Sequence, residues 1–324
     1  MTIPKISILE RELVSHIRES AKNNDSSTAR AMAATVIVAS DASRAAAADA
    51  VIDRLMGLRP ARVLHVRSEA EGPARAWTSA RCALDRASRG VCFEDIFIES
   101  PDSEALDPRI WGPFMIRELP AILFWNFGPR DLTECGCGPY CAERVDLVIT
   151  DGSVDFERIG DEGEIHIADL VEAILEASSA LPAYVDLAWK RLENLRLAVS
   201  RLFEGKDRQA DAVKIESISM SMEDRWSAML VEGWLRSRLA VLGTGSMVDI
   251  KRSAGAPAIA FQLGGDRRSS VSFASPSAAL IGFPDGSGME LGFRGTDDGL
   301  ILANLLDDPA ADALYREAVA TMLR

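Results

Sequence analysis

The sequence predicts an α/β N-terminal domain with a mixed, partly parallel sheet, followed by an α+β C-terminal domain with an antiparallel meander. Three observations predict it. Two short β-branched runs, ATVIVAS and RVLHVR, flank an Ala-rich stretch within about 35 residues, which is the pattern of a strand–helix–strand unit with a right-handed crossover. A stretch from Leu181 to Glu204, LPAYVDLAWKRLENLRLAVSRLFE, carries apolar residues at helical spacing. After Gly243, five short runs separated by Gly, Ser and Pro recur about every ten residues.

The elements follow in order. Ile6–Ala21 is expected to be a helix, with Ile8, Leu9, Leu13 and Ile17 on one side, and the polar KNNDSST after it a lead-in. Residues 30–40 hold the first strand, and Asp41 is placed to cap a helix from Ala42 to about Leu58, which Pro60 stops. The second strand is Arg62–Arg67. Ala74–Leu84 alternates and predicts a strand, with a turn at Ala87–Gly90 and an antiparallel partner at Val91–Ile98. Pro108, Gly112 and Pro113 permit only short helical turns in 102–117. Pro120–Phe127 and Val145–Thr150 are apolar enough to be strands buried on both faces. Ile165–Ser179 is expected to be helical.

The 181–204 stretch is expected to be one long helix shared by both cores. Ala188, Leu192, Leu195, Val199, Leu202 and Phe203 form its apolar stripe. Asp186, Trp189, Glu193 and Arg196 form a second face, which is either a packed Trp among solvated ion pairs or an anchor for a partner. Asp186 and Arg196 are ten residues apart, about 15 Å along a helix, so each is expected to have its own partner. Beyond it, Asp211–Ser219 alternates as a strand. Met222–Leu242 predicts a helix with Trp226, Leu230 and Trp234 in the core. The meander runs are Met247–Lys251, Ala258–Leu263, Ser270–Ala274, Ala279–Phe283 and Met289–Phe293, with a hairpin turn at Asp285-Gly286. Asp308–Leu323 is expected to be a closing helix. The predicted divisions are thus 1–29, an N-terminal helix and lead-in; 30–180, the α/β domain; 181–204, the connecting helix; and 205–324, the α+β domain.

Bulk properties bound the function. A chain of 324 residues with 48% hydrophobic and 26% charged residues has the composition of a globular protein. A net charge of -13 repels phosphates over most of the exterior, which argues against nucleic-acid binding. No segment approaches the ~20 apolar residues of a membrane span. The N-terminus has charges inside its apolar stretch, so a cytoplasmic location is the expectation. Five cysteines disfavour a disulfide scaffold.

Chemistry-bearing candidates are few. Cys135, Cys137 and Cys141 in ECGCGPYC could ligate zinc with a fourth ligand from elsewhere, could form a reversible disulfide, or could be inert. No other cofactor is expected. No G-x-G-x-x-G follows the first strand and no P-loop occurs. Ser40, Ser43 and the helix start at Asp41 could hold an anion, but Asp41 opposes one, so capping is favoured. His16, His65 and His166 are scattered and expected to be structural, His166 being the remote possibility for a fourth cysteine-loop ligand. Lys251, Arg252, Arg267 and Arg268 are either a local basic patch or solvated turn charges.

Four segments carry a resemblance. Asp186-Leu187-Ala188-Trp189, Arg191-Leu192 and Arg196 form the first. RELPAILFWNFGP at 117–129, with Phe124-Trp125 in the aromatic-pair position and Asn126-Phe127 intervening before Gly128, forms the second. Gly233–Leu242 and Asp307–Leu323 are the others. In this order they resemble the OpcA family of glucose-6-phosphate dehydrogenase assembly proteins. The resemblance implies a non-enzymatic protein that binds the dehydrogenase, promotes its assembly and activates it allosterically, in support of the oxidative pentose phosphate pathway. Trp125, Asp186, Trp189 and Arg196 are the residues expected to line the contact or support it from beneath. The alternatives are a sugar-phosphate or nucleotide-binding protein or enzyme, and a zinc or redox module on the Cys135–Cys141 loop.

Overall fold

The computed structural model describes residues 6–23, 28–29, 32–56, 58–69, 72–84, 90–159, 164–244, 248–295, 297–308 and 312–323. The chain divides into two compact units. The first is Met1–Asp155 with Glu176–Val185 and Leu302–Ala311; the second is Phe156–Leu175 with Asp186–Ile301 and Asp312–Arg324.

The first unit is built on an eight-stranded mixed sheet. Its strands are β1 (Thr28–Ala29), β2 (Ala34–Asp41), β3 (Ala61–Glu69), β4 (Arg75–Leu84), β5 (Gly90–Pro101), β6 (Ala121–Trp125), β7 (Leu147–Thr150) and β8 (Tyr184–Asp186). The order is β1-β5-β3-β2-β6-β7-β8, with β4 antiparallel on β5. β2 and β3 are parallel, joined by the Ala42–Met56 helix, as the strand–helix–strand pattern requires. β6 and β7 are buried along their whole length, which is why they read as continuous apolar runs. Asp41 accepts a hydrogen bond from the Arg44 amide at 3.0 Å, the capping role expected of it. Short helical turns fill 102–114. The lead-in residues 24–27 and the expected turn at 87–89 lie outside the described residues.

The second unit carries a six-stranded sheet of β9 (Ile215–Met222), β10 (Asp249–Ala254), β11 (Ala258–Leu263), β12 (Arg268–Ser275), β13 (Ala278–Gly282) and β14 (Gly288–Gly292). The order is β10-β9-β11-β12-β13-β14. From β9 through β11 to β14 the neighbours are antiparallel, but β10 lies parallel on the far side of β9. The predicted five-run meander is therefore four strands, and its first run belongs elsewhere. The Arg225–Val241 helix supplies the reason: a long crossover between β9 and β10 permits parallel pairing, which a tight turn does not. Asp285 receives the Ser287 amide at 2.9 Å and Gly286 has φ 80°, so the β13–β14 turn is the one expected.

Three further expectations are corrected. The 181–204 stretch is not one helix. Tyr184–Asp186 is extended, a helix runs over Leu187–Arg191, and a second over Glu193–Leu202. Pro182 lacks an amide hydrogen, and Asp186 holds extended angles to cap Ala188, so helix can start only at Leu187. At Leu192 the amide bonds to Trp189 O three residues back, breaking the ladder. Asp211 and Ala212, expected to open the Asp211–Ser219 strand, instead close a helix over Lys206–Ala212; true alternation starts at Ile215, where buried residues begin to recur along β9. The Asp298–Asp307 helix falls where no element was predicted, and the closing helix is confined to Ala313–Thr321.

Candidate partner-binding site

Two aspartates of the second unit tie its helices together. Asp186, fully buried, caps Ala188 at 2.8 Å with one oxygen. Its other oxygen accepts from Trp226 Nε1 at 3.2 Å and from Tyr315 Oη at 2.9 Å. A buried carboxylate is costly unless it is richly hydrogen-bonded, and these three donors offset that cost. They come from three helices, so Asp186 fixes the Leu187–Arg191, Arg225–Val241 and Ala313–Thr321 helices relative to one another. Asp312 repeats the device. It caps the last helix through the Leu314 amide at 2.9 Å and accepts from Trp189 Nε1 at 2.7 Å. Gly233 lets the Arg225–Val241 helix approach the last helix closely, since a Cβ there would lie 2.4 Å from Ala318 O.

Arg196 closes this node. Its guanidinium lies 3.5 Å from the centroid of the Trp189 ring, donates to Trp189 O at 2.6 Å, and stands 3.8 Å from Asp312. Burial lowers its pKa to about 10, opposed by Asp312 and Glu193, so it remains a cation at neutral pH. Asp186 and Arg196 thus keep different partners, as their separation requires. Neither Trp189 nor Arg196 is an exposed anchor, however: Trp189 is 1% and Arg196 9% exposed. Of the two roles expected of them, only support from beneath fits this burial.

Above Arg196 lies an open, mainly apolar groove of about 630 Å³. Leu197, Leu242 and Leu314 stand on it at 44%, 43% and 39% exposure, over deeper Phe203, Trp234 and Leu239. Glu193 and Arg238 mark its rim. A cluster of half-exposed leucines rimmed by charge is the character of a protein-contact patch. The sequence reading missed this groove. One signal was present: Leu197 falls outside the apolar stripe of its helix.

Trp125 belongs to the core of the first unit. It is 1% exposed, donates to Gly128 O at 3.0 Å and packs 5.1 Å from the Phe127 ring. Gly128, at φ 132°, is forced, because a Cβ there would meet Asp155 at 2.3 Å. Trp125 is therefore a buried residue that shapes the turn at Gly128.

The three cysteines are unequal. Cys135 is exposed, while Cys137 and Cys141 are buried. The Cys137 amide points at Cys135 Sγ at 3.3 Å, and Cys137 Sγ faces Leu106 O at 3.6 Å. A hydrogen bond from Cys137 holds the Cys135 thiol below its ordinary pKa, whereas burial pushes Cys141 up to about 12. Cys137 is raised too, through its bond to Cys135 and through burial. Among the described residues no group of three or more His, Cys, Asp or Glu is arranged to hold a metal ion. The side chain of His166 lies outside the described set.

A buried charge network, also missed, occupies one face of β3, β4 and β5. His65 Nε2 lies 3.1 Å from Asp95, and Nδ1 faces Asp49 at 3.2 Å, out of hydrogen-bond alignment. Arg67 bonds Asp49 at 2.7 Å and Glu99 at 3.3 Å; Arg81 bonds Asp95 at 3.0 Å. The rings of His65, Phe97 and Trp77 stack at 4.3 and 4.9 Å. On the same strands, Arg62 pairs with Glu94 and Glu10. The signal was the placement of charge at 62, 65, 67, 94, 95 and 99 in strands otherwise apolar.

These observations define a two-unit α/β and α+β protein whose chemistry-bearing residues are mostly locked in structural pairs, with an open apolar groove on the second unit. Family comparison narrows this class. One family model, described as the N-terminal domain of the glucose-6-phosphate dehydrogenase subunit, matches residues 52–162. A second, described as the C-terminal domain of that same subunit, matches 182–319. A Synechocystis sp. protein named as an OxPP cycle protein, OpcA, is 26% identical over 198 residues, spanning 58% of this chain and 39% of that protein's length. The chain belongs to the OpcA family. A crystal structure titled as an oxidoreductase of Klebsiella pneumoniae superimposes over 89% of this chain and 90% of its own with a TM-score of 0.40 at 11% identity, too distant to bear on function. No helix among the described residues is long and apolar enough to cross a membrane.

Proposed function

We propose that this chain is a non-catalytic partner of glucose-6-phosphate dehydrogenase that promotes its assembly and biases it toward its active state. The observation that carries this reading is the pair of dehydrogenase-related domain models matched in order along the chain. The groove beside Leu197, Leu242 and Leu314 is the surface we assign to the contact, with Trp189, Arg196, Asp186 and Asp312 as its rigid support. An activator of this kind must bind one state of the enzyme better than another, and a coupling of about 1–3 kcal/mol changes affinity about 5–150-fold. Co-expression with the dehydrogenase of the same cell, followed by size-exclusion chromatography, tests the reading. A complex that survives the column supports it. Separate elution at micromolar concentration of both proteins contradicts it.

A further inference from the structure

We propose a second site, on the outward face of the second unit's sheet, that binds a phosphorylated polyol such as a sugar phosphate. The inference is independent of the dehydrogenase contact. Pairing register places Lys251, Ser219, Ala260 and Ser270 in one row across β10, β9, β11 and β12. The next row holds Ser253, Ser221, Ala258 and Ser272. An exposed sheet face ordinarily carries long side chains, but this floor is serine and alanine, and the result is a hollow of about 510 Å³. That volume lies within the range of about 300–1,000 Å³ typical of ligand clefts. Gly282, beside β12, keeps the floor open: a Cβ there would come within 2.9 Å of Ser270 Oγ.

Two cations border the hollow from opposite sides. Lys251 stands on β10 and Arg268 on β12, three strand spacings and one row apart, about 16 Å between backbones, a gap their long side chains can close over a ligand. Among the described residues Arg268 has no carboxylate partner. Asp249 lies 3.8 Å from Lys251, and Arg252, also on the hollow, pairs with Glu232 at 3.3 Å. In a chain of net charge -13 this local cation pair suits an anion. Arg presents a fork of donors that matches phosphate. The serine hydroxyls each donate one hydrogen bond and accept others, which suits ligand hydroxyls. A bare phosphate would leave that floor unused, so a phosphate joined to a polyol is the class that engages both features.

Isothermal titration of the isolated full chain tests this, with glucose 6-phosphate, glucose and inorganic phosphate as probes. The expected result is that glucose 6-phosphate binds at least tenfold more tightly than either control. Lys251→Ala with Arg268→Ala is expected to weaken it at least tenfold with the melting temperature unchanged. The pair Ser219→Ala and Ser270→Ala is expected to bring it down toward the inorganic phosphate value. No binding of glucose 6-phosphate at millimolar concentration overturns the proposal. So does equal affinity for inorganic phosphate, or binding indifferent to the Lys251 and Arg268 changes.

Discussion

The Arg196 guanidinium lies over Trp189, 3.5 Å from the ring centroid, while Trp189 itself donates to Asp312. One arginine thus lids the indole that anchors the last helix to the Leu187–Arg191 helix. Lysine, with a single ammonium, cannot reproduce both the close contact over the ring and the bond to Trp189 O. Arg196→Lys is therefore expected to cost about 1–2 kcal/mol. Urea unfolding should show a lower midpoint at unchanged slope. A midpoint equal to the wild type would mean that the stack contributes nothing.

The groove should be separable from folding. Leu197 and Leu242 are more than 40% exposed, so charged replacements there are expected to change stability by no more than about 0.5 kcal/mol. The double change Leu197→Asp and Leu242→Asp is expected to weaken dehydrogenase binding at least tenfold, about 1.4 kcal/mol. Surface plasmon resonance with the immobilised enzyme measures this. Undiminished affinity would move the contact to another surface.

Acidity should act through His65. Burial disfavours its charged form, but the bond to Asp95 and the charges of Asp95 and Asp49 outweigh burial and raise its pKa above the ordinary value. Arg67, Arg81 and the Phe97 ring also face it or its carboxylates. A raised folded pKa stabilises the fold fully below about pH 6.5, the unfolded value, and that contribution is lost as pH rises through the folded pKa. Asp49 and Asp95 are both lowered against the pull of burial, so their contribution holds above about pH 4 and is lost in acid. Stability followed from pH 6 upward should decline in the wild type, while His65→Asn should be less stable, by about 3 kcal/mol at pH 6, and flatter. Parallel curves for the two proteins would exclude a charged His65.

The cysteine loop has a reactivity order. Cys135 is exposed with a lowered pKa, while Cys137 and Cys141 are buried and raised. Alkylation at pH 8, followed by mass spectrometry, is expected to label Cys135 at least tenfold faster than either neighbour. Initial labelling of Cys141 would contradict the loop as described.

Much of the fold could be read because local pattern and tertiary role agree. β2, β6 and β7 are apolar along their length because the sheet buries both their faces. β4 was legible by alternation and β5 as its antiparallel partner. The long helix was not, because its break depends on Pro182 and on Asp186 turning back to cap, and an apolar stripe is blind to both. β10 was misplaced since register to β9 is set by a helix crossover, which no period within β10 encodes. Asp186, Trp189 and Arg196 stood out in the sequence, but their partners Asp312 and Tyr315 are more than 100 positions away in it. The sequence marked them as special, and only the fold assigns them to the interior.

The proposed role of this chain is to grip the dehydrogenase and bias it. Its most direct test is the KM of the purified enzyme for glucose 6-phosphate, measured with and without saturating amounts of this chain. KM is expected to fall at least fivefold, with the effect lost in the Leu197→Asp and Leu242→Asp protein. A KM that does not move at saturation would contradict it.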